Sequence, residues 1–246
     1  MFDILSFLGL RPATTPNPRP KAQKVRASVP GRVQTSTGVK RGPRIMGPDL
    51  IGLVGFNDQG FVISPLASIS SPILLERVRS MEGRIQGMHT NVSDGLQKAV
   101  NLLRNTPSGM LRRIWLLSDG RPNPDNAQER EKIMRIVRQA REHWININTI
   151  GFGESRNFDI GLLSRIASGT HNGRYVAVKT PRKLAMALSH TPRRGLITKA
   201  HRAEATIYAI DCSGSMVLES MEARTKISVV KDTLAQLIYH KQSMFS

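Results

Sequence analysis

Cysteine, aromatic rings and acidic side chains are all scarce in this sequence. Its 246 residues include one cysteine (Cys212), seven phenylalanines, three tyrosines, two tryptophans, and 18 Asp and Glu against 36 Lys and Arg. A lone thiol cannot close an intrachain disulfide, which excludes a disulfide-stapled secreted scaffold and makes a cytoplasmic setting the expectation. So few rings argue against a stacking platform for single-stranded nucleic acid. No apolar run approaches the roughly 20 residues that a membrane-spanning helix needs. The opening MFDILSFLGL is apolar but short, has no basic residue before it and runs at once into Arg11 and Pro12, so no signal peptide is expected. The six histidines are scattered, with none paired at metal-ligand spacing. Gly151-Phe152-Gly153 has neither a third spaced glycine nor a following lysine, so it is not read as a nucleotide loop.

Hydrophobic residues make up 39% of the chain, enough to bury the core of one large or two small domains. A net charge of +18 favours an anionic partner. That charge is unevenly placed. Residues 1–48 hold nine Lys and Arg against Asp3 alone, and residues 11–48 hold seven of the 14 prolines. With no helical or strand period there, 1–48 is expected to be a disordered basic arm. Its Phe2, Ile4, Leu5, Phe7 and Leu8 could anchor it to an anionic membrane, and its charge could hold nucleic acid.

Beyond Pro48 strands and helices alternate. Strands are expected at 50–56, 60–64, 113–118, 145–151, 175–178 and 206–210, from short apolar runs bounded by turn residues. Helices are expected at 72–84 with Pro72 at its start, after Asn91 or Ser93, at 126–143, 158–167, 182–188 and 222–240. This alternation predicts an α/β fold, a doubly wound, mostly parallel sheet flanked by helices.

Three loops put hydroxyls and carboxylates where strands end: Asp211-Cys212-Ser213-Gly214-Ser215, Thr90 in HTNVSDGL, and Asp119 in LLSDGRPN. In an open parallel sheet ligands collect at the carboxyl ends of strands. Oxygen donors without His or Cys suit Mg²⁺ or Mn²⁺. Singly, Asp211, Ser213 and Ser215 could be no more than a turn and helix cap, and Asp119-Gly120 an ordinary turn pair.

Together, DCSGSM, TNVSDGL and LLSDGRPN, with LIGLVGFND and INTIGFGES, resemble the von Willebrand factor type A (vWA) domain over roughly 49–246. The resemblance implies a Rossmann-like fold and a metal-ion-dependent adhesion site (MIDAS). Ser213, Ser215 and Thr90 would be hydroxyl ligands, and Asp211 and Asp119 carboxylates acting largely through water. It further implies protein–protein interaction, with an Asp or Glu of the partner completing the shell of a Mg²⁺ or Mn²⁺ ion, and no enzymatic turnover. The partner so implied is a protein such as an AAA-type ATPase or chelatase assembly. The order differs from the family's, in which the DxSxS strand and its helix come first. Here 49–190 carries the later part, 191–205 a connector, and 206–246 the DxSxS strand and first helix. That order reads as a circular permutation, which surface-loop cuts and neighbouring termini allow. A fragment of a tandem array, or a domain-swapped dimer exchanging 206–240, would carry the same residues.

Overall fold

A computed structural model describes residues 48–243, except 85–86, 88, 108, 154–157, 190–202 and 219. The arm expected over 1–48 therefore lies outside the described residues apart from Pro48, as does most of the connector. The described residues belong to one compact unit, 44–246.

Six strands form the main sheet: β1 (Leu50–Phe56), β2 (Gly60–Ser68), β3 (Leu111–Ser118), β4 (Ile145–Phe152), β5 (Tyr175–Val178) and β6 (Glu204–Asp211). Their order is β2-β1-β6-β3-β4-β5, and only the edge strand β2 is antiparallel. β6 follows the other five in sequence yet lies at the centre, pairing over its length with β1 on one side and β3 on the other. All eight of its residues are buried, as a strand covered on both faces requires.

Alternating side chains of β6 feed two cores. Tyr208 and Ile210 meet α1 (Pro72–Arg79), α5 (Pro181–Ser189) and α7 (Lys226–Ser243) on one face. Ile207 and Ala209 meet α2 (Val92–Arg104), α3 (Ala127–Glu142) and α4 (Ile160–Ser168) on the other. The sheet is doubly wound, as the alternation of elements predicts. The helix after β3 lies on one face and the helix after β6 on the opposite face. Their strands are parallel neighbours, so a crevice opens at their carboxyl ends.

Several boundaries depart from expectation. The helix expected over 72–84 stops at Arg79; Ser80 caps it and Met81 turns into the core, leaving Glu82–Arg84 as a 3-10 turn. The connector expected to end at 205 ends earlier, because Ala203 is buried and Glu204 opens β6. The second strand runs on to Ser68, four residues past its expected end. The largest difference concerns 215–225. In place of helix from Glu222, a short α6 (Ser215–Leu218) leads into a two-stranded hairpin, β7 (Ser220–Met221) and β8 (Arg224–Thr225). Glu222 and Ala223 form its turn at φ 50° and 62°, a left-handed pair of the kind that two-residue hairpin loops demand. α7 starts only at Lys226.

Candidate functional site

The carboxyl end of β6 delivers Asp211, and that of β3 delivers Ser118 and Asp119 one strand away. Asp211 is completely buried. Its Oδ1 accepts the Ser213 backbone N–H at 3.0 Å, which folds the DxSxS loop back on the strand end. Its Oδ2 accepts the Ser118 hydroxyl at 2.9 Å. Ser213 Oγ and Ser215 Oγ lie 3.0 Å apart, and Ser215 donates to Asp119 Oδ1 at 2.9 Å. One chain of hydrogen bonds thus joins Asp211, Ser213, Ser215 and Asp119.

Thr90 arrives from the loop before α2. Asn91 caps that helix by accepting the Asp94 N–H, and Asn91 N–H in turn bonds the Asn57 carbonyl at the end of β1. The Thr90 carbonyl accepts the Asn123 N–H, which ties the loop to the segment after Asp119. Its hydroxyl lies beside the Gly120 backbone, so that a Cβ on Gly120 would come within 3.5 Å of Thr90 Oγ1. All five residues expected from the sequence therefore converge at one place, at 6% exposure or less for Thr90, Asp119, Asp211 and Ser213.

Two further residues belong to the site. Ser118 orients Asp211, and its signal in the sequence was its place beside Asp119 at the end of an apolar run. Lys226, the first residue of α7, has its Nζ 2.7 Å from Asp119 Oδ2 and is itself only 2% exposed. Nothing in the sequence set it apart from the other lysines of the chain. Gly153, at φ +110° after β4, leaves room for it; a Cβ there would meet Lys226 Cε and Nζ at 3.1 Å. Cys212, at the variable position of the loop, is packed in the core, its thiol pushed up to about 12 chiefly by burial.

Burial, followed by the negative charge of Asp119, pushes the Asp211 carboxyl up to about 7, while its bonds from Ser213 and Ser118 pull the other way. Among the described residues Asp119 and Asp211 share this buried place with Lys226, and the other candidate donors are hydroxyl oxygens. Among the described residues no cluster of three or more His, Cys, Asp or Glu is placed to hold a metal. An ion here would accordingly rest on two carboxylates and neutral hydroxyls, a donor set that fits a small hard cation.

Comparison with known proteins agrees with the fold. A sequence model of the von Willebrand factor type A domain matches residues 22–189. The match stops before β6 and α7, the elements that bring Asp211, Ser213, Ser215 and Lys226. No curated protein matches the sequence. Among solved structures, the chain is similar to the conserved hypothetical protein BatB from Bacteroides thetaiotaomicron, at 19% identity and TM-score 0.45, over 58% of this chain and 78% of that one. It is also similar to the SpRpn10 VWA domain, at 16% identity and TM-score 0.44, over 61% and 76%. Among the described residues no helix is long and apolar enough to cross a membrane.

Proposed function

Given that the chain belongs to the von Willebrand factor type A family, we propose that it is a divalent-metal-dependent protein-docking module. Asp211, Ser213, Ser215, Thr90 and Asp119 would hold Mg²⁺ or Mn²⁺ as a MIDAS, and an Asp or Glu of a partner protein would complete the shell. The ion would supply a point of attraction for that carboxylate and no turnover. The observation that carries this reading is the convergence of all three motif loops on one buried cluster of oxygens, with two carboxylates joined through Ser213 and Ser215. The partner could be a AAA-type ATPase or chelatase assembly in the cytoplasm.

The permuted order belongs to the same reading. The seating of β6 between β1 and β3, parallel to both, supports a single domain whose first unit has moved to the end. It removes the need for a second domain to complete the sheet. A domain-swapped dimer would build the same sheet from two chains.

The test is a calorimetric Mn²⁺ titration of the full chain with its mass in solution measured at the same concentration, repeated on Asp211→Ala. One ion per monomer, lost in the variant, is the expected result. Equal affinity in Asp211→Ala would overturn the metal reading. One ion per chain in a dimer would replace permutation by strand exchange. Charge-driven attachment of nucleic acid or anionic membrane through 1–48 is the competing reading. It requires binding that survives EDTA and falls steeply with salt.

A further inference from the structure

Trp144 stands where neither packing nor chain geometry calls for a tryptophan. It follows the C-cap of α3, its N–H on the Arg141 carbonyl and its backbone at φ 56°, the left-handed position at a helix end that glycine fills best. A large side chain there strains the backbone. Burial returns little, because the residue is 72% exposed, whereas Trp115 is core. Its ring rests on His171, in the loop after α4, with centroids 4.4 Å apart and planes 16° from parallel. The imidazole supports one face of the indole, and solvent meets the rest.

The surface beside it is basic. α3 and α4 meet at their last turns, where Gly169 ends α4 against Val137 with no room for a side chain. Arg165 lies one helical turn before Gly169, and Arg138 and Arg141 follow Val137 by one and four residues, so all three positions border the same seam. All three are exposed. From Lys132 to Gly153 and from Ile160 to Val178 the only acidic residue is Glu142. Cations in a last helical turn answer the helix dipole, which accounts for Arg141 and Arg165 singly but for neither Arg138 nor the open ring. We infer that this end of the domain binds single-stranded nucleic acid, one base stacking on Trp144 and its flanking phosphates meeting Arg138, Arg141 and Arg165. A bilayer takes a cluster of projecting apolar side chains. About Trp144 stand instead His143, Asn146, His171 and Asn172, with Leu111 exposed at the head of β3. Rings are too few for a long stacking track, so one base is the extent of the platform. This surface lies at the amino end of the strands, opposite Asp211 and Asp119, and belongs to the folded unit and not to 1–48. It does not depend on the metal reading.

The test uses the full chain in EDTA, which keeps the metal question apart. Binding of a labelled oligodeoxythymidylate of about 12 nucleotides is followed by anisotropy, and stacking by quenching of tryptophan emission. Circular dichroism checks the fold of each variant. The original protein should bind with loss of Trp144 emission, leaving that of the buried Trp115. Trp144→Gly should bind about 5–150-fold more weakly, the share of one stacked base. It should melt no lower than the original, since glycine suits φ 56°. Trp144→Phe should keep most of the affinity. Arg138→Gln, Arg141→Gln and Arg165→Gln together should lower the slope of log affinity against log salt by about 2, at about 0.7 for each phosphate of a single strand. Equal affinity in Trp144→Gly means that charge alone binds, as it would through 1–48, and overturns the inference. Thymidine monophosphate binding as tightly as the oligomer makes this a mononucleotide site, and overturns it too. So does a blue shift of tryptophan emission on phosphatidylglycerol vesicles without quenching by the oligomer, the mark of a membrane surface. Should Trp144→Gly not fold, quenching in the original protein with a reduced slope in the arginine variant upholds the inference, and the lack of either overturns it.

Discussion

Ser118→Ala changes one hydroxyl in the site and replaces none of the five proposed ligands. That hydroxyl donates to Asp211 Oδ2 at 2.9 Å, and both residues are essentially inaccessible to water. Alanine removes the donor, so the carboxylate keeps one fewer bond from the protein. Stranding a buried acceptor of this kind costs about 1–3 kcal/mol. For a folded unit of this size each kcal/mol lowers the melting temperature by about 2–4 °C, which sets the expected fall at about 2–12 °C. The same loss should weaken Mn²⁺ binding by about 10–100-fold, as removal of partners that orient metal ligands commonly does. Thermal unfolding by circular dichroism measures the first effect, and a Mn²⁺ titration the second. A variant with unchanged melting and unchanged Mn²⁺ affinity would refute the claim that Ser118 sets the position of Asp211.

Two other outcomes follow from features described above. Glu222→Asn with Ala223→Gly places residues suited to φ > 0 in the β7–β8 turn and should stabilise the protein by about 1 kcal/mol or more, read as a higher urea midpoint with unchanged slope. Asp211 is held above its unfolded value in the fold, so between pH 4 and 7 the metal-free native state keeps a proton that the unfolded chain releases. Stability of the metal-free protein through this group should therefore fall as pH rises through that window. Saturating Mn²⁺ should reverse the trend, since the ion displaces that proton; melting curves at pH 5.5 and 8 with and without Mn²⁺ check the sign.

The sheet was largely legible because its strands are apolar runs punctuated by turn residues, and 50–56 and 175–178 match to the residue. The site residues were legible because the three loops have fixed internal spacing, so Asp211, Ser213 and Ser215 must stay together wherever the strand goes. What escaped lies in contacts between distant segments. Lys226 is 107 residues from Asp119 in sequence, and a lysine at a helix start reads as a solvated one. The hairpin at 220–225 escaped for a different reason: SMEART contains neither Gly, Pro nor Asn, and the left-handed turn falls on Glu222 and Ala223. Trp144 shows the same limit. It stands at φ 56°, 72% exposed and stacked on His171, whereas Trp115 is core; composition alone could not separate the two.

The central position of β6 also bears on the order in which a growing chain takes shape. Synthesis delivers β2-β1 and β3-β4-β5 first, as two ribbons, and β1 and β3 each then show an unpaired edge to the other. These edges can join only through a strand that leaves the ribosome after residue 204. Until then each is a template for pairing with neighbouring chains, the situation in which nascent proteins aggregate or call on chaperones. The segment that closes the gap is the one that carries Asp211, Ser213, Ser215 and Lys226. A chain cut short before it would lack the middle of its sheet together with Asp211, Ser213, Ser215 and Lys226.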